Sequence, residues 1–184
     1  MAEIIQTGFP PFYINSYVVG QLEEFEIINP IRGFSPIFPT IPTNIEDVFK
    51  SYIDNAGVED PVLIQYERML RFRPTPFYRR KREQLVYYIY STNLEKVFNT
   101  GRIIVDSLDR EDAAGQDVNA WVSANIIEDP KTGDPIPNNV FFHSIRVYQA
   151  DETRDILNLV SAKTVYVSKF IIEYDYHTTD THYT

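Results

Sequence analysis

The alternation of apolar and polar side chains predicts four β-strands in this chain. The first, residues 61–72, carries apolar side chains at every second position, with Arg68 interrupting the alternation. The second, residues 83–90, is apolar on both faces, which is typical of a central strand. Residues 140–149 form the third predicted strand and residues 164–177 the fourth. One face of the fourth strand carries Tyr166, Phe170, Ile172, Tyr174 and Tyr176.

Apolar side chains spaced three and four residues apart predict helices in the remaining sequence. We expect a helix over residues 12–25, after a Pro10–Pro11 pair that should block regular structure. Its two adjacent valines would serve a strand equally well, so the same stretch also fits a strand. A short helix is predicted over residues 45–53, and the Asn-Ala-Gly sequence at 55–57 ends it.

The clearest helical pattern begins at Thr92 and runs to Leu108. Thr92 and Glu95 fit a capping box, in which each side chain binds a backbone N–H of the first turn. Residues 109–122 are also compatible with a helix, and Gly115 is a candidate break within them.

Two further segments are predicted to be irregular, and one is ambiguous. Residues 128–139 hold three prolines and a glycine, which indicates a loop. Residues 31–41 are apolar and interspersed with prolines, so we expect an extended arm that buries its side chains on its own domain or on a neighbour. Residues 151–163 are ambiguous, because Ile156, Leu157 and Val160 would suit a helix there.

These elements predict an α+β protein. We expect a mostly antiparallel sheet of about four strands packed on two or three helices, with an extended N-terminal arm. The expected divisions are an N-terminal helix and Pro-rich arm over 1–43, a core domain over 44–177, and a flexible polar tail over 178–184.

Composition narrows the chemistry. The chain has 184 residues, no cysteine and a formal net charge of −9. Thiolate metal sites and disulfides are therefore excluded, and the acidic balance opposes general nucleic-acid binding. No apolar stretch approaches the roughly 20 residues of a membrane span. Thirteen tyrosines and 12 phenylalanines suit both a β-rich core and protein interfaces.

The candidate residues for catalysis or metal binding form no recognisable arrangement. His143, His177 and His182 have none of the spacings typical of metal sites. Neither a Gly-rich phosphate loop nor a nucleophile elbow occurs. We therefore expect no enzymatic activity, no metal and no cofactor.

Two charged segments offer binding surfaces instead. Residues 68–82 hold seven of the 17 basic residues with three aromatic residues among them, and residues 106–117 hold five acidic ones. The basic segment would suit phosphates with stacked bases, or carboxylates on a protein partner. Opposite strips on one chain would also suit head-to-tail pairing between copies, and an intramolecular salt-bridge network is an equal alternative.

The order of these features resembles the tail terminator and neck proteins of contractile-tailed bacteriophages. The resemblance spans residues 12–177 and is one of pattern and order. The segments that carry it are Phe12-Tyr13-Ile14-Asn15-Ser16-Tyr17, Arg71-Phe72-Arg73-Pro74-Thr75-Pro76-Phe77-Tyr78-Arg79-Arg80-Lys81, Leu108-Asp109-Arg110-Glu111-Asp112, Asn119-Ala120-Trp121 and Phe170-Ile171-Ile172-Glu173-Tyr174-Asp175-Tyr176-His177.

The resemblance implies a virion protein of the tail neck, assembled in the host cytoplasm. It would form a ring, often hexameric, that ends the tail tube and joins the tail to the head connector. Expected partners are further copies of the chain, the tail tube and sheath proteins, other neck proteins and passing DNA, and no membrane. The alternative functions are a nucleic-acid-binding module that uses residues 68–82, or another component of the head–tail connector or neck. The predicted interface residues are Phe34, Ile37, Phe38, Arg71, Arg73, Phe77, Tyr78, Arg79, Arg80, Lys81, Arg82, Asp109, Glu111 and Asp112.

Overall fold

The structure, a computed structural model, shows three helices and four strands in the residues that it describes. Those residues are 10–24, 60, 62–69, 80–110, 112–128, 133–160 and 163–178. The helices are α1 (Pro10–Glu24), α2 (Leu94–Leu108) and α3 (Asp112–Ala124). The strands are β1 (Val62–Met69), β2 (Lys81–Ser91), β3 (Val140–Val160) and β4 (Lys163–Thr178).

The strands form one antiparallel sheet in the order β1-β2-β4-β3, with helices packed on one face. The predicted α+β class is therefore confirmed. The pattern of β2, apolar on both faces, agrees with its central position. The predicted arm and the predicted helix at 45–53 lie outside the described residues.

Helix α1 confirms the helical prediction for the N-terminal segment, but it begins earlier than expected. Pro10 and Pro11 form its first turn rather than blocking structure. Proline is tolerated there because its missing N–H would lack an intrahelical partner in any case. Tyr13, Ile14 and Leu22 of α1 are fully buried in the main core, so this helix belongs to the same packed unit as the sheet.

The N-terminus of α2 is capped by Asn93, so the prediction of a Thr92 cap was wrong. The Asn93 side-chain oxygen accepts hydrogen bonds from the backbone N–H groups of Glu95, at 2.9 Å, and Lys96, at 3.3 Å. The Thr92 hydroxyl instead donates to a carboxylate oxygen of Asp60 at 2.7 Å. A tertiary partner has therefore shifted the cap by one residue.

The break between α2 and α3 falls at residues 109–111, and Gly115 lies inside α3, so the predicted break at Gly115 was wrong. A Cβ on Gly115 would lie 3.1 Å from the carbonyl carbon of His143 in β3. Glycine at this position lets the helix approach the strand closely, which local sequence does not reveal.

Strand β3 continues through residues 151–160, which resolves the ambiguous segment as strand. Arg154 lies opposite Val167, and Ile156 lies opposite Val165. Pairing with β4 supplies partners along part of this segment, and tertiary context of this kind overrides helical spacing. In the predicted loop, a single β-bridge joins Glu128 to Pro135.

The main core lies between the helices and the facing side of the sheet. Its centre is Tyr87, which is fully buried and donates a hydrogen bond to the side-chain oxygen of Asn15 in α1. Tyr13 donates to the carbonyl oxygen of Pro137 at 2.5 Å. These bonds matter because an unsatisfied buried hydroxyl costs about 1–3 kcal/mol. The aromatic residues therefore act as core, and they also tie α1 to the sheet and to the loop.

Asn119 of α3 joins that helix to the edge strand β3. Its side-chain nitrogen donates to the Phe142 carbonyl oxygen at 2.8 Å, and its side-chain oxygen accepts from the Phe142 N–H at 2.9 Å. The amide therefore occupies both backbone groups of Phe142 on a strand at the edge of the sheet. It both docks α3 and prevents another strand from pairing there.

We expect Asn119→Ala to lower the free energy of unfolding by about 1–3 kcal/mol, because two backbone groups lose their partner. Chemical denaturation followed by circular dichroism measures the change. Asn125→Ala is the matched control, since its amide makes one exposed bond to Trp121; there we expect a change within about 0.5 kcal/mol. Equal losses in the two variants would contradict the assigned role.

Gly101 provides a second packing test. A Cβ at this position would lie 2.7 Å from Cζ of Phe170, which is too close for an ordinary contact. Although alanine favours helix over glycine by about 0.5–1 kcal/mol, we expect Gly101→Ala to destabilise the protein by about 1–3 kcal/mol through overpacking. Thermal and urea unfolding check this, and the double variant with Phe170→Leu should regain stability. A stabilising Gly101→Ala would disprove the close packing of α2 on β4.

Candidate interface at one end of the sheet

The antiparallel register brings together three chain segments that are distant in sequence. Lys81 at the start of β2 lies opposite Tyr176 near the end of β4, and Tyr176 lies opposite Phe142 near the start of β3. Residues 80–82, 141–144 and 175–177 consequently form one end of the sheet, here named the basic end. Of the described residues of the predicted basic segment, Arg80 to Arg82 belong to it, whereas Arg68 lies on β1 opposite Leu85.

Arg82 forms a salt bridge within the chain. Its guanidinium donates to both carboxylate oxygens of Asp175, at 2.6 and 2.8 Å. This hydrogen bonding raises the pKa of Arg82 above its ordinary value, and the negative charge of Asp175 adds to the effect. Arg82 is therefore paired within the chain, with Asp175 rather than with a residue of the acidic segment, and its charge is neutralised there.

Arg80 and Lys81 present the positive charge of the basic end to solvent. Both side chains are exposed, and the Lys81 ammonium lies 5.8 Å from the centre of the Tyr176 ring. The Tyr176 hydroxyl donates to the buried carboxyl group of Glu83 at 2.7 Å, and the Tyr174 hydroxyl donates to the same group at 3.0 Å. Buried hydrogen bonds thus hold the tyrosine ring beneath an exposed cation.

A histidine pair and an exposed aromatic ring complete the basic end. Nε2 of His143 lies 2.7 Å from Nδ1 of His177. The Phe141 ring, 45% exposed, has its centre 5.6 Å from the His143 ring and 5.4 Å from the His177 ring. Burial lowers the pKa of His143 below 6.5, and the charges of Arg80 and His177 lower it further against the opposing effect of Asp175.

The sequence did not single out Phe141, His143 or His177 as interface residues. The two histidines are 34 residues apart and meet only because β3 pairs with β4 in one register. Within that register His143 is the extra residue of a bulge between Phe142 and Ser144. The two strands could be predicted from alternation, but their pairing and the position of the bulge could not.

The acidic segment lies on the helical layer. Asp109 follows α2 and has an exposed side chain. Asp106 lies 4.0 Å from Arg102, and Asp117 lies 3.6 Å from Arg110. These arginines line an open cleft of about 350 Å³ between α1 and α2. Since both arginines lie beside carboxylates, the cleft has no concentrated charge of either sign. Asp109 is an exposed acid between α2 and α3.

Several predicted interface residues stay predictions, because they lie outside the described residues: Phe34, Ile37, Phe38, Arg71, Arg73, Phe77, Tyr78, Arg79 and Glu111. Asp112 is the first residue of α3. The structure adds two exposed apolar side chains one turn apart on α2, Leu94 and Phe98, the latter 53% exposed. Such side chains supply contact area that charges alone do not.

Within the described residues, no three His, Asp or Glu side chains are close enough together to hold a metal ion. None of the helices in that part of the chain is long and apolar enough to cross a membrane. A scan against protein-family models finds no family that matches this chain. A search of curated proteins also finds no match. The chain's function must therefore be inferred from its own surfaces and from the pattern of its sequence.

Proposed function

We propose that this chain is a structural protein of a contractile phage tail, which assembles with copies of itself into a ring at the tail neck. In this role the ring, often hexameric in the proteins that the sequence resembles, ends the tail tube and joins it to the head connector. The proposal is supported by the sequence pattern and by the α+β core. The basic end and exposed Asp109, between α2 and α3, carry opposite charges, which suit contacts between chains.

One observation carries the proposal: the chain exposes opposite charges on two different surfaces. Lys81 is exposed at the basic end of the sheet, and Asp109 is exposed between two helices. Arg82, by contrast, is neutralised by Asp175 within the chain. Unlike surfaces that pair between copies make a head-to-tail contact, and such contacts repeat until the ring closes.

The opposite charges would fix the orientation of one subunit against the next, and apolar contacts would supply most of the affinity between them. An exposed ion pair contributes only about 0.2–1 kcal/mol, whereas a stable interface buries roughly 800 Å² on each partner. Exposed Phe98 and Phe141 are available for such burial. Charge complementarity then selects the partner surface and speeds association.

Nucleic-acid binding is the second candidate, and one observation favours it. Exposed Arg80 and Lys81 lie at the same end of the sheet as exposed Phe141, and cations beside an aromatic ring suit phosphates and stacked bases. The net charge of −9 opposes it. Binding to single- or double-stranded DNA at about 50 mM salt, with a steep loss at higher salt, would distinguish this function.

A charge exchange tests the head-to-tail contact. Lys81→Glu and Asp109→Lys should each weaken assembly, because each places like charges opposite one another. The double variant Lys81→Glu/Asp109→Lys should assemble again. An equimolar mixture of the two single variants should also assemble, because alternating subunits restore every contact. Native mass spectrometry and sedimentation velocity measure the particle mass against the 21.5 kDa subunit.

Arg146→Glu is the control, since Arg146 is exposed on β3 and lies outside the basic end; this reversal should leave assembly intact. Thermal unfolding of every variant shows whether the fold survives. If the single variants assemble as the wild type does, the pairing of Lys81 with Asp109 is wrong. If Lys81→Glu alters only DNA binding, the nucleic-acid function replaces the proposal.

A further inference from the structure

The His143–His177 contact limits how many protons the pair can hold. The two ring nitrogens are 2.7 Å apart, the ring centres are 4.8 Å apart and the ring planes differ by 28°. At this distance one nitrogen donates its proton and the other accepts it, so the accepting nitrogen carries none. A second proton between these two nitrogens would place two N–H groups against each other and break the hydrogen bond.

The pair sits where the sheet supports α3. His143 is the extra residue of the β3 bulge, and α3 approaches its carbonyl group so closely that a Cβ on Gly115 would lie 3.1 Å from the carbonyl carbon. The preceding residue, Phe142, is held through its backbone by Asn119 of the same helix. A change in the position of His143 therefore acts directly on the two contacts that dock α3 on β3.

The charges around the pair disfavour the doubly protonated state. Arg80 faces His143 from the start of β2, and His177 faces it from β4. Asp175 of β4 favours the charged form, but Arg82 binds both of its oxygens. From α3, Gly115 and Asn119 lie against this bulge, and neither of them carries a charge.

We propose that His143 and His177 form a proton-sharing pair that makes the docking of α3 on β3 dependent on pH. With the hydrogen bond in place the bulge is held and α3 is docked. When both imidazoles are charged, they repel each other, the bulge shifts and α3 loosens. This device operates in a single subunit, so it does not depend on the proposed ring.

The direction of the pH effect follows from the burial of His143. Because its pKa in the folded protein is lowered from 6.5, the unfolded chain binds more protons as the pH falls through 6.5. This contribution to stability is fully present above pH 6.5 and is lost as the pH falls toward the lower folded value. Acid therefore weakens the docked state.

Trp121 gives a direct measurement, because it is the only tryptophan in the chain and lies on α3. Its Nε1 donates to the Ser16 hydroxyl of α1 at 3.1 Å, so loosening of α3 exposes the indole to water. We expect the emission maximum of the wild type to move to longer wavelength in one reversible transition below pH 6.5. His143→Gln and His177→Gln should each remove at least four fifths of that shift.

His182→Gln is the matched control, because it removes a titrating imidazole elsewhere in the chain and should leave the wild-type curve unchanged. Repeating the titration at two protein concentrations separates α3 loosening from any change in assembly. Should the glutamine variants fail to fold, NMR of the wild type still decides: the side-chain amide of Asn119 and the backbone amide of Phe142, which join α3 to β3, should shift in one transition below pH 6.5. A flat Trp121 emission between pH 5 and 8, or Asn119 and Phe142 amides that do not shift over that range, would overturn the proposal.

Discussion

The pairing of β4 between β2 and β3 is the constraint on which the other features of the structure depend. It places Arg82 beside Asp175, 93 residues away in sequence, and His143 beside His177. It also forms the surface on which the helices bury their apolar faces. Because the contacts are so distant along the chain, the basic end exists only once the whole sheet has formed. Assembly through that end would therefore be restricted to folded subunits.

The sequence predicted the strands and the existence of the helices, because burial on one face leaves a periodic pattern in the chain. It failed where a tertiary partner decides between local alternatives. The Thr92 hydroxyl donates a hydrogen bond to Asp60, and Asn93 caps the helix instead. Close approach to β3 explains why a glycine sits at position 115 in mid-helix. These partners come from other elements, so no local window contains the information.

The candidate interface likewise combines features that the sequence predicts with features that only the fold creates. A run of basic residues is visible in sequence, and the exposure of Lys81 agrees with a binding role. The strand register decides that Arg82 is neutralised within the chain, because it places Arg82 opposite the carboxylate of Asp175. Phe141 and the two histidines join the surface through a bulge that alternation does not predict. The presence of charged residues can therefore be predicted from the sequence. Which of their charges are neutralised by a neighbouring residue depends on the fold.

The central claim is that this chain works by joining copies of itself, and the mass of the native particle tests it most directly. Sedimentation equilibrium over a range of protein and salt concentrations gives that mass. A ring held in register by opposite charges should have a single mass that is a multiple of 21.5 kDa and should dissociate as salt rises. A particle that remains at 21.5 kDa at every protein and salt concentration, with and without tail tubes, would contradict the account.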